Sequence, residues 1–299
     1  METTQIEAIV DALSASMRET ISGPIDRRIC HGGCIHRAEV WSPRIGPTFF
    51  IKWGDHAKLD MFRQEAVGLS ALADTGTVRI PRVLFIFADE DIDLAALILE
   101  AIEVGSPSRS SWFDFGQQLA HLHQTATSTR FGFAADNYLG SANQLNGWSD
   151  QWIEFYATQR LGFQMRWLQS QYRSARSIVA RCERLIADLN EILRDQLESP
   201  TLIHGDLWSG NVLFDREGRA YLIDPAVYYG QREAEWGMID LFGGFPPEFR
   251  EGYFDIWPLK SGYQVRISLY RLYHCINHWN LFGESYLSAC DQELRKLGY

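Results

Sequence analysis

The sequence contains no C-x-x-C pair, no histidine spacing of the HExxH type and no apolar run near the ~18 residues that can cross a bilayer. These absences argue against a disulfide framework, a structural zinc site and a membrane-spanning helix. The first twenty residues also lack the basic-then-apolar pattern of a secretory signal. We therefore expect a cytoplasmic protein whose cysteines stay reduced: Cys30, Cys34, Cys182, Cys275 and Cys290.

Positive charge is also scarce, because 28 lysines and arginines stand against 38 aspartates and glutamates, a net charge of −10 at pH 7. A polyanionic surface repels the phosphates of nucleic acids and of anionic lipids, so neither nucleic acid nor a membrane surface is an expected partner. With 299 residues, 46% of them apolar, the chain can form one large globular domain or two smaller ones.

The residue pattern changes along the chain near residue 102. Before that point we predict an antiparallel meander with helices over 3–20 and 57–74. Its strands are expected at 25–30, 37–41, 48–53, 83–88 and 94–100. Beyond it, helices are predicted at 110–126, 148–173, 177–197 and 262–282, and only 201–224 is rich in β-type residues. We therefore predict an N-terminal domain over 1–102 and a larger helical domain over 103–299.

The segment 204–211 reads HGDLWSGN and places Asp206 five positions before Asn211. Kinase catalytic loops use this spacing, with the aspartate orienting and deprotonating the attacking hydroxyl and the amide oxygen helping to hold magnesium on the phosphates. A second carboxylate for the metal is expected beyond a β-hairpin, and Asp224 lies there at the end of an apolar strand. In the alternative interpretation these side chains only cap turns and strand ends.

A lysine and a glutamate upstream fit the same chemistry. Lys52 interrupts the apolar strand FFIKW, where a charge is costly without a partner. Glu65, on the predicted following helix, can supply that partner, and a kinase needs such a pair to hold the α- and β-phosphates. Taken alone, Lys52 could equally be an edge-strand solubility charge and Glu65 a solvated helix residue.

The segment 31–36, HGGCIH, is a glycine-rich turn between two predicted strands. Adjacent glycines allow backbone N–H groups to approach phosphate oxygens closely, although a plain hairpin turn would have the same residues. Cys34 lies in this loop, where an oxidisable thiol could couple redox state to activity. A disulfide between two such loops would join two copies into a homodimer.

These motifs together resemble the fructosamine kinase (ketosamine-3-kinase) family, relatives of the aminoglycoside and choline phosphotransferases. The resemblance runs from about residue 20 to the C-terminus and rests on GGCI at 32–35, DNYLGS at 136–141, HGDLWSGN at 204–211, DPAVYYG at 224–230 and LFGGFP at 241–246. It implies an α+β, protein-kinase-like two-lobe fold with a small antiparallel-sheet N-lobe and a larger, mainly helical C-lobe. One departure is Glu235, where the family pattern leads us to expect aspartate, and a supporting contact is therefore in question.

The resemblance also implies roles and two cofactors, ATP and Mg²⁺. Asp206 would be the catalytic base, and Asn211 and Asp224 would hold the metal. The nucleotide would contact Lys52 with its partner Glu65, the phosphate loop at Gly32, Gly33 and Cys34, and the connector Glu100, Ala101 and Ile102. Trp208 would pack against the substrate. Asn137 could line the sugar site together with Tyr138, Asn146 and Trp148, or these residues could form a structured loop.

The implied substrates are ketosamines, the Amadori adducts of sugars and amines, phosphorylated on the C3 hydroxyl. Loss of the phosphate by elimination would then release the amine, which amounts to deglycation. Two alternatives remain open from the sequence. One is a phosphotransferase for another small hydroxyl substrate, such as an aminoglycoside, choline or homoserine. The other is a catalytically inactive pseudokinase that acts as a binding module.

Overall fold

The computed structural model describes residues 2–30 and 37–299. The predicted phosphate loop, with Gly32, Gly33 and Cys34, lies outside these residues. The N-terminal part is a five-stranded antiparallel sheet of order β1-β2-β3-β5-β4 with one helix against each face. Its elements are α1 (Thr3–Met17), β1 (Ser22–Cys30), β2 (Arg37–Ile45), β3 (Phe49–Gly54), α2 (Leu59–Ala73), β4 (Val83–Asp89) and β5 (Leu94–Glu100).

Strand β5 contains the apolar run LAALIL, which lacks the usual alternation of apolar and polar residues because both faces of the strand are covered. Ala96 and Ile98 pack with α1 on one face, whereas Leu97 and Leu99 pack with α2 on the other. A strand covered on both faces needs apolar residues at every position. The neighbouring strand β3 alternates in the same way, so Lys52, opposite Leu97, faces α2 and not α1.

The C-terminal part is mainly helical, as predicted, with short two-stranded ladders between the helices. Its elements are α3 (Arg109–Thr125), β6 (Asn137–Leu139), β7 (Ala142–Gln144), α4 (Trp152–Phe155), a π-helical turn (Tyr156–Leu161), α5 (Gly162–Gln171), α6 (Arg176–Ala187), α7 (Leu189–Leu193), β8 (Thr201–Ile203), β9 (Val212–Phe214), β10 (Ala220–Leu222), β11 (Tyr228–Gly230), α8 (Arg232–Phe242), α9 (Pro247–Ile256), α10 (Tyr263–Phe282) and α11 (Leu287–Lys296). Short 3₁₀ turns occur at His56–Lys58, Arg173–Ala175, Ser209–Asn211 and Glu284–Tyr286.

Several predicted boundaries differ from the structure for local reasons. The first helix stops at Met17 because Arg18 takes a left-handed conformation, φ 55°. The helix expected over 148–173 is divided by the π-helical turn, and the helix over 177–197 breaks at Asp188 between α6 and α7. No helix in the described residues is long and apolar enough to cross a membrane.

Buried ion pairs lie inside the helical part. Arg266 on α10 donates two hydrogen bonds to Glu233 on α8, at 2.6 and 2.7 Å. Arg232 donates to Glu198 at 2.7 and 3.1 Å and places its guanidinium 3.8 Å from the centre of the Trp257 ring. These contacts tie α8 to the segments around it, and α8 in turn packs against the loop that follows β8.

Backbone hydrogen bonds and close packing join the N-terminal part and its connector to the helical part. The Gly105 N–H donates to Phe214 O at 2.8 Å, and the Leu222 N–H donates to Arg79 O at 3.0 Å. At Gly68 helix α2 approaches the segment after β10 so closely that a Cβ there would lie 3.2 Å from the Pro225 ring. The predicted domain boundary at 102/103 falls in the extended connector between β5 and α3 and stays a prediction.

Candidate active site

Lys52 lies between two carboxylates contributed by different parts of the chain. Its Nζ donates to Glu65 Oε1 on α2 at 2.6 Å and also to Asp224 Oδ1, just after β10. Burial by itself would lower the pKa of Lys52, but the charges of Asp224 and Glu65 outweigh it and raise that pKa. The side chain is therefore held as an ammonium group, and the Lys52–Glu65 pair expected from the sequence is present.

Asp206 and Asn211 are brought together by a tight loop between β8 and β9. Asn211 Nδ2 donates to the backbone oxygen of Asp206 at 2.9 Å and lies 3.4 Å from its carboxylate. The Ile223 N–H donates to Asn211 O at 3.1 Å, so the loop is fastened to the strand that leads to Asp224. Asp206 and Asn211, five positions apart, thus lie in one hydrogen-bonded loop that is joined to the segment before Asp224, the second predicted metal ligand.

The backbone before Asp206 has little freedom. Gly205 has φ +81°, and a Cβ at this position would lie 2.1 Å from Ala226 O. Ala226 N–H in turn donates to His204 O at 2.8 Å. A side chain at position 205 would force the catalytic loop away from the segment after Asp224, which is why glycine is required here.

Glu235 makes the supporting contact that its departure from the family pattern left in question. Its two carboxylate oxygens accept from the N–H groups of His204, at 2.5 Å, and of Gly205, at 3.0 Å. The His204 ring bridges from Ile223 O, at 2.9 Å from Nε2, to the Asp206 N–H, at 3.3 Å from Nδ1. Burial lowers the pKa of His204, so the ring is neutral and orients the loop.

The pKa of Asp206 is raised well above its usual range, first by burial and then by the charges of Asp224 and Glu235. The Asn211 amide opposes this effect without cancelling it. Negative charge is thus concentrated at this loop, and one of its sources, Asp224, also bonds Lys52. A raised pKa suits a carboxylate that must accept a proton from a hydroxyl group.

The donor set at this position fits Mg²⁺. The hydrogen bonds of Asn211 in the described part of the chain use its amide nitrogen, and its amide oxygen remains for a cation beside the Asp224 carboxylate. Mg²⁺ prefers oxygen ligands and usually takes one or two carboxylates together with substrate phosphates. The described residues hold no group of three His, Cys, Asp or Glu side chains able to bind a metal alone. Phosphate oxygens would therefore have to complete its coordination.

Trp208 lies within the loop between Asp206 and Asn211 and is partly exposed. Its ring covers Gly210, where a Cβ would come within 2.1 Å of it, and meets Phe242 edge-on at 6.1 Å. This is a partly exposed position next to the proposed base and not a core position, and the substrate contact stays a prediction. Glu100, Ala101 and Ile102 run from the end of β5 into the connector and are all partly exposed.

The structure gives Asn137 a different environment from the one expected of a sugar-binding residue. Its side chain is buried, its Nδ2 donates to Val227 O at 2.8 Å, and its Oδ1 accepts from Gln144 at 2.8 Å. Asn146 is also buried and accepts from Arg160 at 2.7 Å. Both amides are therefore engaged within the protein. Trp148 remains exposed and stacks on Tyr229, with the ring centres 6.1 Å apart.

A family model described as fructosamine kinase matches residues 6–298, almost the whole chain. The chain belongs to the fructosamine kinase family. Two similar relatives are the probable ketoamine kinase of Synechocystis, 38% identical over 91% of this chain and 90% of the relative, and the chloroplastic protein-ribulosamine 3-kinase of Arabidopsis thaliana, 38% identical over 89% and 82%. The family assignment made from the motifs is confirmed.

Solved structures support the same assignment for the fold. A candidate fructosamine-3-kinase from Haemophilus somnus superimposes with a TM-score of 0.86 at 25% identity over 98% of both chains. The aminoglycoside phosphotransferase APH(4)-Ia reaches 0.66 at 16% identity over 97% and 99%. The predicted α+β, kinase-like two-lobe fold is therefore confirmed, with the sheet of β1–β5 as the N-lobe and the helical part as the C-lobe.

Proposed function

We propose that this member of the fructosamine kinase family is an ATP-dependent kinase that phosphorylates the C3 hydroxyl of ketosamines. The observation that carries the proposal is the joint placement of Lys52, Glu65 and Asp224 beside the Asp206–Asn211 loop. A pseudokinase that only binds a partner would not need all of these groups in contact. Relatives named as ketoamine and ribulosamine 3-kinases support the choice of a ketosamine substrate.

Each of these residues would have a separate task. Asp206 orients the C3 hydroxyl and accepts its proton as the oxygen forms a bond to the γ-phosphorus, while the bond from that phosphorus to the β,γ-bridging oxygen breaks and ADP leaves. Lys52, held by Glu65, contacts the α- and β-phosphates, and Asn211 and Asp224 hold Mg²⁺. Bound Mg²⁺ neutralises charge on the phosphates. Trp208 would pack against the sugar or its amine-bearing arm.

The nucleotide would bind between the lobes. Backbone groups at Glu100, Ala101 and Ile102 would meet the adenine, and Gly32, Gly33 and Cys34 would cover the phosphates. Because the transferred phosphate lies on C3, next to the C2 carbonyl through which the product can enolise, it can leave by elimination, and hydrolysis of the resulting imine by water then releases the amine. The enzyme itself would supply only the phosphoryl step of deglycation.

A substrate panel tests this proposal. Purified protein is incubated with ATP, Mg²⁺ and either ribulose-lysine, fructose-lysine, choline or an aminoglycoside, and ADP release is measured, with Asp206→Asn as the blank. Turnover on a ketosamine that EDTA abolishes supports the proposal. Turnover on choline or the aminoglycoside alone would assign another small-molecule phosphotransferase, and no turnover on any acceptor would leave the pseudokinase interpretation.

A further inference from the structure

The β6–β7 hairpin links the two lobes at a point away from the connector. On one face Tyr138 OH donates to Asp60 Oδ2 at 2.7 Å, and Asp60 lies on α2, the helix that carries Glu65. This hydrogen bond raises the pKa of Tyr138 to about 12, so the phenol stays protonated. The hairpin therefore contacts the element that sets the position of the Lys52 partner.

On its other face the hairpin binds the backbone that follows Asp224. Asn137 Nδ2 donates to Val227 O at 2.8 Å, and Gln144 Nε2 donates both to Ala226 O at 2.9 Å and to Asn137 Oδ1 at 2.8 Å. Tyr273 OH fixes the other end of the Gln144 amide by donating to its Oε1 at 3.0 Å. All three side chains are buried, so no water competes for these carbonyl groups.

The backbone at Asp224 needs such support. Asp224 has φ +57°, a left-handed conformation that an aspartate adopts only at a cost. On one side Ala226 N–H donates to His204 O, and on the other side Ala226 O accepts from Gln144. Asp224 is thus held from the catalytic loop and from the hairpin at once, while Lys52 bonds its carboxylate.

We propose that Asn137 and Gln144 are positioning residues for the Mg²⁺·nucleotide site, which act through the backbone after Asp224 and do not contact the ketosamine. This inference rests on the proposed function, because it takes Asp224 as the metal ligand. Mutation of a residue that hydrogen-bonds to a metal ligand and orients it commonly lowers metal affinity or activity by about 10- to 100-fold.

The test compares Asn137→Asp with Asn143→Asp, the same substitution at an exposed position of the same hairpin. Asn137→Asp keeps the shape but removes the donor to Val227 O. Binding of ATP without acceptor is measured by calorimetry with Mg²⁺ and again with EDTA. We expect the gain in ATP affinity that Mg²⁺ confers to fall at least about tenfold in Asn137→Asp and to stay unchanged in Asn143→Asp, with the KM for ketosamine unaltered.

An unchanged Mg²⁺-dependent gain in folded Asn137→Asp would overturn the inference. A raised KM for ketosamine with normal nucleotide binding would also overturn it and would restore the substrate-contact interpretation of Asn137. If Asn137→Asp does not fold, Gln144→Met removes the donor to Ala226 O without adding charge and decides in its place. Failure of the parent protein to bind ATP with Mg²⁺ would instead count against the proposed function.

Discussion

The buried ion pairs of Lys52 and Arg266 differ in the number of carboxylates that each cation meets and in the exposure of those carboxylates. The side chains of Lys52 and Arg266 are almost equally buried, at 6% and 5% exposure. Arg266 meets one carboxylate, Glu233, and spends its other donors on the backbone oxygens of Ser261 and Lys260, at 3.0 and 3.1 Å. Lys52 meets two carboxylates, and the side chain of one of them, Asp224, is 35% exposed.

The difference separates a group that stabilises the fold from one that we propose binds a ligand. The Arg266 pair is balanced in charge, closed within the C-lobe and has donors that are already satisfied. The Lys52 group carries excess negative charge, draws its members from both lobes and keeps the Asp224 side chain partly exposed. A cation with phosphates would complete the second group and has no place in the first. The four predictions below test this distinction, starting with the largest expected effect.

Asp206→Asn should lower kcat by roughly 10³-fold, because the amide cannot accept the hydroxyl proton. Its affinity for Mg²⁺·ATP should stay close to that of the parent, since Asp206 acts on the acceptor. Steady-state kinetics and calorimetry check both parts, with Asp150→Asn on the C-lobe surface as the matched control.

Asp224→Asn should instead weaken Mg²⁺·ATP binding. Identical behaviour of the two variants at positions 206 and 224 would contradict the separate roles.

Arg266→Met should lower the free energy of unfolding by about 3 kcal/mol, because it leaves the Glu233 carboxylate buried without its partner. Urea denaturation measures this loss, and kcat per folded molecule should not change. The double variant Arg266→Met with Glu233→Met removes both charges and should recover most of the stability. A fall in kcat without loss of stability would place Arg266 with the functional group and end the distinction.

Acid should weaken the C-lobe through His274, whose pKa is lowered to about 3, mainly by burial and further by His278 and Arg160. The unfolded chain takes up this proton near pH 6.5, whereas the folded protein does so only near pH 3, so stability falls as the pH drops between these values. The expected loss at pH 5 is roughly 2 kcal/mol.

His274→Gln should therefore flatten the dependence of unfolding free energy on pH between 7 and 5, as measured by urea denaturation at each pH. The comparison concerns the slope, so a general loss of stability in the variant does not affect it. His121→Gln, at an exposed position of α3, is the matched control and should keep the slope of the parent. An unaltered slope in His274→Gln would refute the assignment.

Arg130→Ala should change the unfolding free energy by less than about 1 kcal/mol, although its Nε lies 2.7 Å from Asp150 Oδ1. Both side chains are exposed, at 47% and 79%, so water screens the pair. Thermal denaturation at low and high salt checks this. A loss as large as that of Arg266→Met would mean that burial does not separate structural from superficial ion pairs here.

The residues that could be predicted from the sequence are those marked by a short local pattern, such as a fixed spacing or a charge within an apolar strand. Asp206 and Asn211 share one loop, and Lys52 stands out because a charge interrupts an apolar strand. The direction of Lys52 also follows from the alternation in β3. The structure brings these residues together with Glu65 and Asp224.

The residues that were not predictable depend on distant partners. Glu235 differs from the family pattern, and only the fold shows that it reaches the N–H groups of His204 and Gly205. Strands β6 and β7 are three residues each, too short for periodicity, and Gln144 gave no signal at all. The motif DNYLGS marked the region, but whether Asn137 faces substrate or backbone depends on the position of Val227.

The bond between Lys52 and Asp224 spans 172 positions of the chain. During synthesis the lysine therefore emerges long before its second partner, and the N-terminal sheet alone carries the Lys52–Glu65 pair without the Asp224 carboxylate. Under the proposed function, competence to bind Mg²⁺·ATP arises late, when most of the polypeptide has been made and the lobes have docked. Nascent or prematurely truncated chains would consequently be inert as ATPases.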